Sequence, residues 1–143
     1  MGEDLYMDNR AILLVENGKE TIIKLITLKK ISNEFEHLYE IYSYLNCFAI
    51  DVLPLPLGNA GILNNIRIVI DDEGQLKDNP MVNFVVSALF GQRIVGNALI
   101  LSVNKDGSDR GLSTTEYSVL FRILKKFSQQ YPNRINFQLD DCD

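Results

Sequence analysis

The sequence predicts an α+β fold, a mainly antiparallel sheet of five or six strands with helices packed on one face. Three observations predict it. The elements run strand, strand, helix, strand, strand, short helix, strand, helix, an order that does not repeat as the strand-helix-strand units of a doubly wound parallel sheet. Asn17-Gly18 separates two apolar runs and is a strong hairpin signal. Ile94 to Val103 is so densely aliphatic that it belongs at the centre of a sheet, buried on both faces, because an exposed segment of that kind would template pairing with other chains. At 143 residues the chain fits one domain, 1–143, large enough for a continuous core, with 1–9 and 140–143 expected to be flexible.

Taken in order, Ala11 to Glu16 and Glu20 to Leu25 are the first two strands, joined by a tight two-residue turn whose residues both tolerate positive φ. From Leu28 to Leu45 the apolar residues Leu28, Ile31, Phe35, Leu38, Tyr42 and Leu45 alternate steps of three and four and share one helical stripe. Thr27 or Ser32 can cap that helix. Ser32 is favoured, because Lys29 and Lys30 near a positive helix start cost up to about 1 kcal/mol each while Glu34 and Glu36 suit the first turn. Cys47 to Leu53 reads as a strand, and Pro54 and Pro56 force an extended edge or loop after it.

Asn59 to Asn65 reads as a loop and Ile66 to Ile70 as the fourth strand, with Arg67 and Asp71 facing out. An acidic turn, Asp72-Glu73-Gly74-Gln75, follows, then a short apolar helix, Met81 to Phe90, closed by Gly91. Asn104 to Arg110 is a polar loop. Ser113-Thr114-Thr115-Glu116 is a capping box that starts the last helix, whose buried stripe is Tyr117, Leu120, Phe121, Leu124 and Phe127 and which Pro132 stops. Ile135 to Leu139 adds an edge strand.

Glu73-Gly74-Gln75-Leu76, Asn79-Pro80 and Ile94-Val95-Gly96 leading into a hydrophobic strand resemble an uncharacterised family of small proteins encoded by bacteriophages and integrated mobile elements. The likeness covers roughly residues 10–116, from the strand Ala11-Ile12-Leu13-Leu14-Val15 to the segment around Leu112 to Glu116. It implies a genomic setting, a mobile genetic element, rather than a reaction.

The net charge of −5, from 14 basic and 19 acidic residues, disfavours direct nucleic-acid binding, which needs a basic surface to neutralise phosphate. No apolar run reaches membrane-spanning length, and the acidic start MGEDLYMDN is unlike a secretory signal, so a protein of the bacterial host cytoplasm is expected. Cys47 and Cys142 make no disulfide framework and are expected as free thiols.

Catalytic templates lack parts. His37 is the single histidine and is expected on the exposed side of the first helix; no His or Cys pair has zinc-ligand spacing. Gly91 to Gly96 has phosphate-loop spacing, but Asn97-Ala98 stand where Lys and Ser or Thr are needed, and a strand follows instead of a helix. Asp71-Asp72-Glu73 and Asp106 to Asp109 read as solvated turns. No catalytic residue, metal or cofactor is therefore expected.

The leading expectation is a non-enzymatic binding protein that inhibits a bacterial defence system, in the manner of an anti-CRISPR protein, by occupying the surface of a host protein such as a nuclease effector. Glu36, Tyr39, Glu40 and Tyr44 are its candidate contacts, because exposed tyrosines beside carboxylates suit an interface; partial burial under a neighbouring loop is the other reading of these tyrosines. The alternative function is sequestration of a small ligand or nucleotide, with Arg93, Lys105 and Arg110 as anion contacts.

Overall fold

The computed structural model describes residues 9–55 and 61–140. Expectations for 1–8, for the stretch from Pro56 to Ala60, and for Asp141, Cys142 and Asp143 lie outside the described residues. Among the described residues the chain runs β1 (Arg10–Glu16), β2 (Thr21–Thr27), α1 (Glu34–Leu45), β3 (Ile50–Pro54), β4 (Ile66–Asp71), α2 (Phe84–Phe90), β5 (Ala98–Val103), β6 (Asp109–Arg110), α3 (Thr114–Gln130) and β7 (Ile135–Phe137), with single 3-10 turns at Gly61–Leu63 and Gly74–Leu76. The strands form one seven-stranded sheet in the order β3-β4-β5-β1-β2-β7, with β6 folded back on β5. It is mostly antiparallel, as the sequence predicts; β7 alone among the described pairings runs parallel, to β2.

The sheet is covered on both faces, where one was expected. On one face Ile12 and Leu14 of β1, Ile66 and Ile68 of β4 and Ile100 of β5 meet Val85 and Val86 of α2 and Tyr117, Leu120, Phe121 and Leu124 of α3. On the other, the alternate residues Ala11, Leu13, Val69, Leu99 and Leu101 meet Leu28, Cys47 and the α1 residues Ile41 and Leu45. Because a strand's side chains alternate sides, a strand apolar at every position needs a helix layer on each. β5 is central, and Ala98 to Leu101 are fully buried.

Local chemistry sets the boundaries. The β1–β2 connection has four residues, because the Asn17 side chain accepts from the Lys19 and Glu20 N–H groups and makes the turn itself; only Gly18 has positive φ, at 90°. α1 is capped by Asn33 rather than Ser32, its side chain accepting from Glu36 N–H at 3.1 Å. α2 starts at Phe84, three residues after the expected start at Met81, with Asn83 as its cap, and Gly91 ends it in the left-handed region. The capping box at Ser113 and Glu116 is present in both directions.

β3 starts at Ile50, so Cys47 precedes it, buried. Asp71, expected to face out, is buried and pairs with Lys77 at 2.7 Å. Asn9 and Asp140, expected in flexible ends, are both held: the Asn9 carbonyl accepts from Leu28 N–H, and the Asp140 carbonyl accepts from the Tyr117 hydroxyl at 2.6 Å.

Candidate functional site

The candidate site is the outward side of α1 and the apolar groove beneath it. The residues α1 buries are His37, Ile41 and Leu45, spaced i, i+4, i+8. That choice rotates the helix away from the stripe of the sequence reading, so Phe35, Leu38 and Tyr39 are turned to solvent at 78%, 36% and 69% exposure. Just past the helix Phe48 is 91% exposed, and Val52 of β3 is 47% exposed. Ile50 packs against the α1-side core, so by alternation Val52 projects on the same side of the sheet as α1.

Each fully buried side chain of this size is worth about 1.5–3 kcal/mol, so a fold that leaves Phe35, Tyr39 and Phe48 in water forgoes a large driving force.

Between α1, β3 and the β5–β6 hairpin lies a groove of about 330 Å³. Ile31, Leu38, Ile41 and Ile50 make its apolar wall, and His37, Ser108 and Asp109 its polar one. His37 is buried, correcting the expectation of an exposed histidine. Its Nε2 lies 2.8 Å from Asp109 Oδ2, which ties α1 to the hairpin, while Nδ1 has no hydrogen-bond partner among the described residues. Ser108 does not complete a triad: its hydroxyl donates to Asp106 Oδ1 at 2.6 Å. That bond, reinforced by the Ser108 N–H, holds the Asp106 carboxyl below the usual carboxylate range.

The four sequence-predicted contacts separate into two kinds. Glu36 and Tyr39 are exposed on the outward side of α1, and Tyr39 meets Tyr42 edge-on at 6.2 Å. Glu40 is occupied: its carboxylate accepts from the Lys29 and Lys30 N–H groups at 2.9 and 3.0 Å and braces the chain entering the helix. Tyr44 packs against the α1-side core, and burial, with Glu40 nearby, raises its phenol pKa. Phe35, Leu38 and Phe48 do not stand out as contacts in the sequence, because an apolar residue at helical spacing reads as core until its helix is oriented.

The three candidate anion contacts do not converge. Arg93 and Lys105 flank opposite ends of β5. Arg93 lines a recess of about 110 Å³ that also holds Asp51, Asp71 and Asp72, surroundings that repel an anion. Arg110 is engaged by Glu116 through two bonds, 2.9 and 3.1 Å.

A second cleft, about 290 Å³, gathers the segments that carry the resemblance: Gly74, Asn79, Pro80, Val95 and Gly96 all line it. The segments touch directly, Gln75 Nε2 donating to the Arg93 carbonyl and Gly96 N–H to the Met81 carbonyl. Its charged pair, Asp71 and Lys77, is already closed, and the Lys77 ammonium also donates to the Asn46 carbonyl at 2.6 Å. Nearby Cys47 has its thiol pKa raised, first by burial and then by Asp71.

No family model, curated protein or solved structure matches the chain. Among the described residues no helix is long and apolar enough to cross a membrane, and no group of three or more His, Cys, Asp or Glu side chains is placed to hold a metal ion.

Proposed function

We propose that this chain is a protein-binding domain that acts by covering part of a partner's surface, with the outward side of α1 as the docking face. The observation that carries the reading is the cluster Phe35, Leu38 and Tyr39, exposed beside an apolar groove on a helix with a buried stripe elsewhere. Glu34 and Glu36 border the cluster, so a basic partner surface with apolar anchors is the complement. Tyr39 and Phe35 supply contact area with few rotatable bonds, which limits the entropy lost on docking.

The setting we propose is a mobile-element inhibitor of a bacterial defence nuclease, acting inside the host cell. It is supported by the resemblance around Glu73 to Gly96 and by the acidic balance, and a basic nucleic-acid channel on the effector is the surface such a chain would occupy. The sequestering alternative has less support, because Arg93, Lys105 and Arg110 do not share a pocket.

The test is capture of a bacterial nuclease effector by the immobilised chain, with Phe35→Ser/Tyr39→Ser run in parallel and the effector's cleavage activity measured. The proposal expects the native chain to hold and inhibit the effector and the double variant to do neither while remaining folded. An effector bound and inhibited equally by both chains would remove α1 as the docking face. Failure of every effector tried, with a nucleotide instead raising the unfolding temperature, would favour sequestration.

A further inference from the structure

We propose that the outer edge of β3 is a strand-pairing site for a second copy of this chain, held closed by Asp51. β3 is the terminal strand of the sheet, and among the described residues only β4 pairs with it. The Ala49 carbonyl accepts from Asp72 N–H at 3.0 Å, so the backbone groups of residue 49 face β4. Antiparallel alternation then turns those of 51 and 53 toward β4 and those of 50, 52 and 54 outward. The identity of residue 54 agrees, since proline has no N–H to offer and fits a free edge.

Of the outward groups, the Val52 N–H is already taken: it donates to Asp51 Oδ1 at 2.9 Å. A carboxylate folded over the middle of the edge removes the central donor and sets negative charge against the carbonyl oxygens of any incoming strand. Short edges carrying a charge and a proline are how sheets avoid pairing with other chains.

Without that carboxylate the edge is self-complementary. Two copies related by a twofold axis at Val52 place Val52 opposite Val52, each N–H reaching the other's carbonyl, and set Ile50 opposite Pro54, whose carbonyl can accept from Ile50 N–H. The half-exposed Val52 side chains then meet across the axis. A second copy is thus the occupant that matches the edge in both backbone and side chain.

The experiment compares sedimentation equilibrium of the native chain, Asp51→Ala and Asp51→Ala/Val52→Pro over a wide range of concentration. Asp51→Ala is expected to raise the self-association constant at least tenfold, and Val52→Pro, which deletes the central N–H, to return it to the native value. Amide exchange at Val52 in the Asp51→Ala chain should slow as concentration rises. An Asp51→Ala chain that associates no more than the native one overturns the proposal. So does association that survives Val52→Pro or is abolished by Phe35→Ser, since either would place the contact elsewhere.

Discussion

Replacing Glu116 by alanine should cost this protein a large part of its stability, and the size of the loss decides how firmly its pair with Arg110 is held. The Glu116 carboxylate, 5% exposed, accepts from Ser113 N–H at 2.8 Å, from both Arg110 terminal nitrogens at 2.9 and 3.1 Å and from the Ser102 hydroxyl at 3.0 Å. It therefore closes the start of α3 and neutralises a guanidinium that is itself only 15% exposed. Removing one partner of such a buried pair costs about 3–5 kcal/mol. The bond from Arg110 to the Gly111 carbonyl persists and favours the lower part of that range.

Against a total of about 5–15 kcal/mol for a domain, that is a drop in unfolding temperature of roughly 6–20 °C at about 2–4 °C per kcal/mol. Urea unfolding measures it, with an unchanged m-value confirming that stability alone has moved. Arg110→Met/Glu116→Leu should lose less than the sum of its single variants, since the two side chains are in direct contact and each single variant already removes their shared pair. A loss below about 1 kcal/mol for Glu116→Ala, the size of an exposed pair, would refute the reasoning. It would mean that the pair is screened by solvent like an exposed one.

Other substitutions separate surface from scaffold. Phe35→Ser/Tyr39→Ser should leave unfolding free energy within about 1 kcal/mol of native, because both rings are largely exposed, yet weaken partner binding at least tenfold, mainly through faster dissociation measured by surface plasmon resonance. Glu36→Lys should instead slow association and reduce its dependence on salt. Gly111→Ala should destabilise by about 1–3 kcal/mol in urea, since the added Cβ would stand 2.5 Å from Asn9 Cα and 2.7 Å from Arg10 N, backbone atoms that cannot swing aside. Cys47, with its thiol pKa raised, has less thiolate than a free cysteine at mildly alkaline pH; peptide mapping should find it alkylated slowly in the native protein and readily in urea.

Much of the fold was legible in the sequence because its signals are local. The capping box needs only Ser113 and Glu116, the stop at Gly91 only a residue that accepts positive φ, and the centrality of β5 only its unbroken aliphatic run. The second helix layer also has a signal in the sequence: Ala11-Ile12-Leu13-Leu14 is apolar on both sides of a strand, so it too demands cover on both. What sequence does not reveal is contact between distant residues. His37 is buried because Asp109, 72 positions away, comes to its ring, and Glu40 is occupied by the N–H groups of Lys29 and Lys30 once the chain has turned into the helix.

The orientation of α1 links that failure to function. Two stripes compete on this helix: Phe35, Leu38 and Tyr42, richer in apolar surface, and His37, Ile41 and Leu45, which includes an imidazole. Burial energy counted residue by residue favours the first. The second is the one fully buried, with Tyr42 of the first half-buried against the same core, and its choice rests on two tertiary facts, the Asp109 partner that makes a buried histidine tolerable and the Cys47 and Leu28 side chains that pack with Ile41 and Leu45 in the α1-side core. With that stripe used internally, the aromatic side of the helix is left outside. Phe35 and Tyr39 are then the large side chains of α1 most exposed to water, and the partner proposed above is what would cover them.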